Sequence, residues 1–250
     1  MKKKTFFLII FILFINIPLL NSADTIPIPT ITIGVGTTTN PSEIVKTLQI
    51  IILLTIITLA PSILVLMTSF TRIVIVLHFL RQALGTQQMP PSQVVVGLSL
   101  FLTFFVMRPV LVQINNNALQ PYLKKEITQK QAFENALKPL RKFMLKQTRE
   151  KDLALFLSFT RTKKPKNINE VSTLTIIPAF VISELKTAFQ MGFLLYIPFL
   201  ILDMVVASVL LSMGMMMLPP VMVSLPFKIM LFVLADGWNL LVGSLIKSFM

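Results

Sequence analysis

Read from its amino end, the chain alternates apolar runs with short breaks marked by charge, proline or glycine. Lys2, Lys3 and Lys4 precede an apolar run from Phe6 to Ile15, which stops at Asn16 and Pro18 and passes into small or polar residues up to Ala23. That order is the layout of a secretory signal peptide, because the apolar run is shorter than the roughly 20 residues a membrane-crossing helix needs. Cleavage near Ala23 is therefore expected for 1–23, an uncleaved first span being the alternative. Residues 24–43 hold prolines, glycines and threonines without helical periodicity and are expected to be an extended segment outside the membrane.

Four interrupted apolar segments follow. The first runs without a charge from Ile50 to Met67, and its pattern resumes from Ile73 to Leu80 beyond Arg72. Pro61 lies inside it and predicts a kink, since proline removes a backbone hydrogen bond and clashes with the preceding turn. The second spans Met89 to Met107, between Pro90-Pro91 and Arg108-Pro109, so 44–108 is expected to hold the first two membrane helices. The third starts after Glu184 and Lys186 and reaches Leu202, where Asp203 interrupts the apolar tract. Beyond it, Gly214, Pro219-Pro220 and Pro226 break the apolar stretch too often for one straight helix. A hairpin turning at Met213 to Pro220 is expected, with a last segment from about Val221 through Leu245 that carries Lys228 and Asp236; 181–250 then holds the third and fourth helices.

Between the second and third segments, 109–180 reads as a small helical subdomain. Phe133, Ala136, Leu137, Leu140, Phe143 and Met144 share one face at helical spacing. Thr128 with Gln131 has the form of a capping box, and Pro139 is expected to split the pattern into two shorter helices. A second apolar patch, Leu153 to Phe159, precedes the solvated loop RTKKPKNINE.

Composition turns this pattern into a class. Hydrophobic residues make up 54% of the 250 positions and charged residues 13%, with a mean hydropathy of +0.80. Soluble domains run near 25% charged, so the expectation is an all-α membrane protein. The net charge of +13 is unevenly placed: Pro109 to Pro178 holds 13 basic and 5 acidic residues, a net +8. The absence of cysteine excludes disulfides, thiol catalysis and Cys-based metal sites. His78, in VIVLHFLRQ, is the only histidine, and no metalloprotease, phosphate-loop or dinucleotide motif occurs. No enzyme activity, cofactor, metal or nucleic-acid partner is expected.

Charges inside apolar segments must face protein or water, because lipid makes an ionised side chain costly. Arg72, Glu184, Lys186, Asp203, Lys228 and Asp236 are the candidates. Glu184 and Lys228 have opposite signs on different segments and could pair between helices or subunits. Arg72, Asp203 and Asp236 are buried charges without an assigned role; Asp203 is too short to reach an interface from mid-segment, whereas Lys186 and Lys247 could snorkel. Met213, Met215, Met216 and Met217 form the densest methionine cluster, beside Gly214. Flexible, polarizable thioethers could close a pore and re-pack around varied substrates, though a buried turn filled by methionine is the plainer alternative.

Three stretches carry a family resemblance: TSFTRIVIVLHFLRQALGTQQMPPSQVVVGLSLFLTFFVMRP (68–109), PAFVISELKTAFQMGF (178–193) and DMVVASVLLSMGMMMLPPVMVSLPFKIMLFVLADGWNLL (203–241). They resemble the FliP family, the flagellar branch of the SctR-type secretion proteins. The resemblance implies a core subunit of the flagellar type III export gate, through which unfolded flagellar proteins cross the inner membrane at the basal body. It also implies bent helical hairpins assembling as a helical ring of about five copies, with FliQ, FliR, FlhB and FlhA homologues as partners. By the same resemblance, Met213, Met215, Met216 and Met217 form a pore gasket and Glu184 with Lys228 an inter-subunit charge pair. His78 departs from the small polar residue expected there, and the middle region is more basic than the family pattern. A cleaved signal peptide and four spans make 109–180 a periplasmic insertion. Its +8 would favour the cytoplasm by the positive-inside rule, but that rule weakens for loops beyond about 60 residues.

The runner-up is an ion- or solute-coupled transporter, with Glu184, Asp203 and Asp236 as substrate or proton sites. Binding of nucleic acid or anionic lipid through the basic loop rests on charge alone and lacks a recognition fold.

Overall fold

A computed structural model describes residues 41–86, 89–160, 167–215 and 217–250. The expected signal peptide, most of the segment expected to be extended over 24–43, and Met216 lie outside the described residues. Every regular element among them is helical. The chain divides into two units, 1–51 and 52–250; of the first, 41–51 is the opening stretch of helix α1 (Pro41–Leu66), so 41–43 are helical rather than extended. In the second unit α1 continues from Ile52 through Pro61 and ends at Leu66. Ile52, Leu53, Ile57 and Leu59 along it are all exposed.

Helix α2 (Phe70–Leu84) starts after a break at Met67 to Ser69 and is the centre of the second unit. Its buried Ile73, Val76, Leu77, Leu80, Ala83 and Leu84 follow i, i+3, i+4, i+7, i+10 and i+11, so one stripe faces inward. Gly85, at φ 74°, ends the helix in the left-handed conformation that glycine adopts without steric cost. The main partner of α2 is α7 (Thr173–Ser212), 40 residues and roughly 60 Å long. Arg72 meets Glu184, and Phe79 meets both Phe189 and Gly192, so the two helices run parallel with a nearly constant offset. At Gly192 a Cβ would lie 2.4 Å from Phe79 Cδ2 and 3.0 Å from Phe79 Cβ, which a ring rotation alone cannot relieve. Gly192→Val is therefore expected to separate the helices and cost about 1–3 kcal/mol. A lowered thermal midpoint, partly restored by adding Phe79→Ala, would show it; an unchanged midpoint would contradict the close packing.

Helix α3 (Ser92–Ile114) also packs on α2. It does not stop at Arg108-Pro109: one π turn (Asn115–Leu119) and α4 (Gln120–Leu123) continue it, giving 32 apolar-rich residues from Ser92 to Leu123. Its buried Ser99 and Thr103 hydroxyls donate to the carbonyls of Val95 and Ser99, 2.7 Å each, so neither is left unsatisfied.

The middle region forms α5 (Gln129–Gln147) and α6 (Glu150–Phe159). The capping box is present: Thr128 accepts from the Gln131 backbone and Gln131 accepts from the Thr128 backbone. The expected break at Pro139 is absent, because α5 runs unbroken through it. Residues on both sides of the proline, Leu137 and Leu140 with Phe143 and Met144, pack into the same cluster with Ile176 and Phe180 of α7. Met144 is fully buried and the other three half-buried; a fully buried side chain of this kind contributes about 1.5–3 kcal/mol, so together they offset the roughly 3 kcal/mol of an internal proline. Phe133, assigned to that face by spacing, is instead exposed.

Asp203 interrupts the apolar tract but not the helix, since α7 passes through it to Ser212. After the turn come α8 (Pro220–Leu234) and α9 (Gly237–Lys247), bent by 64° at Ala235-Asp236. Leu241, Leu245 and Phe249 return to the core around α2. By length and composition, Ser92–Leu123 and α7 can each cross a membrane, and α8 with α9 could form a third, bent crossing. The first expected segment holds a shorter apolar stretch, 47–63, so among the described residues two helices, or three with the bent pair, are long and apolar enough to cross.

Candidate functional site

Two buried charge clusters and one methionine turn carry the chemistry of the described residues. Arg72 sits on the inward stripe of α2 and is 2% exposed; Glu184, on α7, is 0% exposed. Nε of Arg72 donates to Glu184 Oε2 at 2.9 Å, and Nη2 donates to Glu184 Oε1, a two-pronged contact that matches guanidinium to carboxylate. The remaining donors are also used. Nη1 reaches the Ser248 carbonyl and hydroxyl, both at 2.9 Å, and Nη2 reaches Gln147 Oε1 at 3.1 Å. The Phe249 ring lies with its centroid 4.0 Å from the guanidinium carbon. Gln147 Nε2 in turn donates to the Phe249 carbonyl at 3.1 Å. One cation thus ties α2, α5, α7 and the residues after α9 together, and each of its N–H groups finds an acceptor.

The second cluster joins α7 and α8. Lys228 is buried, with Nζ 2.7 Å from Asp203 Oδ2 and 3.2 Å from the Ala83 carbonyl in the last turn of α2. That carbonyl lies where the helix dipole favours a cation. Ser224, one turn before Lys228, donates to Asp203 Oδ1 at 2.5 Å.

The structure does not bring Glu184 and Lys228 together: within the chain Glu184 pairs with Arg72 and Lys228 with Asp203. The reason is geometric. Residues 203 and 228 lie symmetrically about the turn joining α7 to α8, so folding the hairpin sets them side by side, while Glu184 is more than four turns further along α7. Arg72 and Asp203, which had no role in the sequence, are the partners. The symmetry was readable once the hairpin had been placed; Gln147, Ser248 and Phe249 carried no such signal, being 75 to 177 positions from Arg72.

The other candidates lie elsewhere. Asp236 is exposed at the bend between α8 and α9, at φ 50°, and accepts from Asn239 Nδ2 at 3.1 Å. His78 donates Nδ1–H to the Val74 carbonyl one turn back on its own helix, 2.8 Å away. Lys186 is exposed. Among the described residues, no group of His, Asp and Glu side chains is placed to hold a metal.

At the tip of the α7–α8 hairpin, Gly214 takes φ 76° and its N–H donates to the Leu211 carbonyl, while the Met215 N–H reaches back to the Leu210 carbonyl at 3.0 Å. These paired bonds around a left-handed glycine close α7 and turn the chain out. Met213, Met215 and Met217 are exposed, Met217 at 98%, so the alternative of a turn buried within the chain does not hold for these three. Apolar side chains also line much of α7, including Phe189, Phe193, Leu194, Met204 and Val205, all exposed. A surface of that extent must be covered by lipid or protein.

The model of the FliP family matches residues 53–245. The chain is 56% identical over 217 residues to the flagellar biosynthetic protein FliP of Bacillus subtilis, covering 87% of this chain and 98% of that one. It is 53% identical to the FliP of Aquifex aeolicus, covering 89% and 92%, and 53% identical to that of Borreliella burgdorferi, covering 84% of each.

Proposed function

Because this chain belongs to the FliP family, we propose that it is a core subunit of the flagellar type III protein export gate, passing unfolded flagellar proteins across the inner membrane. The match over 53–245 carries this reading. The physical features agree with it: an apolar chain, a hairpin pinned by the Asp203–Lys228 pair, and an exposed methionine tip. In this reading about five copies form a ring with FliQ and FliR homologues, and FlhB and FlhA homologues join the same gate. Neighbouring subunits cover the exposed side of α7, and 109–180 faces the periplasm after removal of the signal peptide. A transporter is not favoured, since Glu184 and Asp203 already serve Arg72 and Lys228, and Asp236 lies exposed at a bend.

In a host lacking its own copy, the chain should restore flagellar protein secretion, and native mass spectrometry of the co-expressed proteins should give several copies bound to the smaller partners. A folded, partner-free monomer that leaves secretion absent would refute the proposal.

The methionine tip acts here as a closed, deformable seal. Each thioether packs against its copies from neighbouring subunits and moves aside when a polypeptide enters. Replacing Met213, Met215, Met216 and Met217 by alanine is expected to leave assembly intact while the closed complex leaks ions. Planar-bilayer conductance measures this; an assembled variant that stays as tight as the parent would remove the sealing role.

A further inference from the structure

Oxidisable sulfur is gathered where the chain covers itself least. Four of the 14 methionines fall within 213–217. Among the described residues, Met67, Met107 and Met144 are buried, whereas Met213, Met215 and Met217 at the turn, and Met222 in the first turn of α8, are exposed. Nothing lies within 4 Å of the position a Cβ would take at Gly214, so the turn is open around its glycine as well.

A thioether so placed reacts with hydrogen peroxide, an oxidant scarcely larger than water. The sulfur lone pair attacks one peroxide oxygen, an S–O bond forms as the O–O bond breaks, and the departing oxygen leaves as water, taking the proton of the transferred one. Sulfur is oxidised and peroxide reduced, so no further reactant is needed. The product, a sulfoxide, is polar where the thioether was apolar.

The turn has little to offer that new oxygen. The N–H groups of Met213, Gly214 and Met215 already donate to the carbonyls of Val209, Leu211 and Leu210, and the Ser212 hydroxyl donates to the Val209 carbonyl. Pro219 and Pro220 have no N–H. From Met204 to Phe227 the sequence holds no charged residue. A sulfoxide there takes its hydrogen bonds from water, since a buried polar oxygen without a donor is costly. Oxidation thus brings water to a surface that seals by excluding it.

We propose that the methionine tip is a site of reversible oxidation by peroxide, and that sulfoxides at Met213, Met215, Met216 and Met217 hydrate the closed gate and make it leak. The inference rests on the sealing role given to these residues above. In a ring of copies the outer thioethers of the seal border the water of the channel, and a polypeptide in transit spreads the rest into contact with it. Methionine sulfoxide reductases, one for each epimer, return the tip to its apolar state. Leucine closes a pore without responding to oxidant, which is the difference the test uses.

The full chain, co-expressed with its partners, is treated with millimolar hydrogen peroxide and divided between peptide mass mapping and planar-bilayer conductance. Sulfoxide is expected at 213–217 before it appears at Met107 or Met144. The leak should rise at least about fivefold, the shift that one unsatisfied polar group imposes on a closed state. Reductase treatment should restore the untreated value. The variant with Met213→Leu, Met215→Leu, Met216→Leu and Met217→Leu should conduct equally before and after peroxide. Met89→Leu with Met250→Leu, which removes two exposed methionines outside the turn, should respond as the parent does. A tip left unoxidised while other exposed methionines react, sulfoxide at the tip without a rise in conductance, or an equal rise in the four-leucine variant would each overturn the redox role and leave the seal standing. A parent complex already open before treatment would overturn the seal itself, and this inference with it.

Discussion

Arg72→Met is expected to cost about 3–5 kcal/mol, the range for removing one member of a buried ion pair and stranding the other. The loss should exceed that of a simple contact, because the fully buried Glu184 carboxyl would be left without the guanidinium that now satisfies both of its oxygens. Gln147 and Ser248 would also lose the donors they now accept from. The double variant, Arg72→Met with Glu184→Leu, removes both charges and should recover most of the stability, since apolar replacements of a whole buried pair are often neutral. Thermal unfolding of the four proteins in one detergent gives the coupling energy. Additive losses would mean that the two residues do not depend on each other. The same cycle run with Glu184 and Lys228 should be close to additive within one chain, because the structure gives each a different partner.

Asp203→Ala is the second large effect expected. It leaves the Lys228 ammonium buried with only the Ala83 carbonyl and should cost about 3 kcal/mol or more. Asp203→Asn should fall between this variant and the parent, because the amide oxygen can still accept from Ser224 or Lys228 while the charge is lost. Asp203→Ala with Lys228→Met should be milder than Asp203→Ala alone. Limited proteolysis of the α7–α8 hairpin reads the series directly, since this cluster holds the two arms together. If Asp203→Ala resisted protease as the parent does, the pair would not be holding the hairpin.

These two clusters mark the boundary of what one sequence reveals. Apolar runs, the Thr128 capping box and the turn at Gly214 are local, and each had its cause within a few residues. That the charges in apolar segments needed protein partners was also legible, from the cost of leaving them in lipid. Which partners they would find was not, because Arg72 and Glu184 are 112 positions apart. Choosing among opposite charges requires knowing which helices are neighbours. Proline misled for a related reason: Pro139 is a breaker in isolation, and packing across helices compensates for it. The methionine tip was placed correctly as a turn, and its exposure could be seen only once the hairpin had been built.

The distance in sequence between Arg72 and its partners also sets a timetable for synthesis. At about 5–20 residues per second, Glu184 is made roughly 6–22 s after Arg72, and Ser248 later still. Throughout that interval the guanidinium lacks its carboxylate, so α2 cannot settle among lipid tails without stranding the charge. The nascent helix must wait at the aqueous boundary, or in the insertion machinery, until α7 arrives beside it. Integration of this chain is then not a string of independent insertions in order of translation but a delayed, collective step, with the late helices admitting the early one.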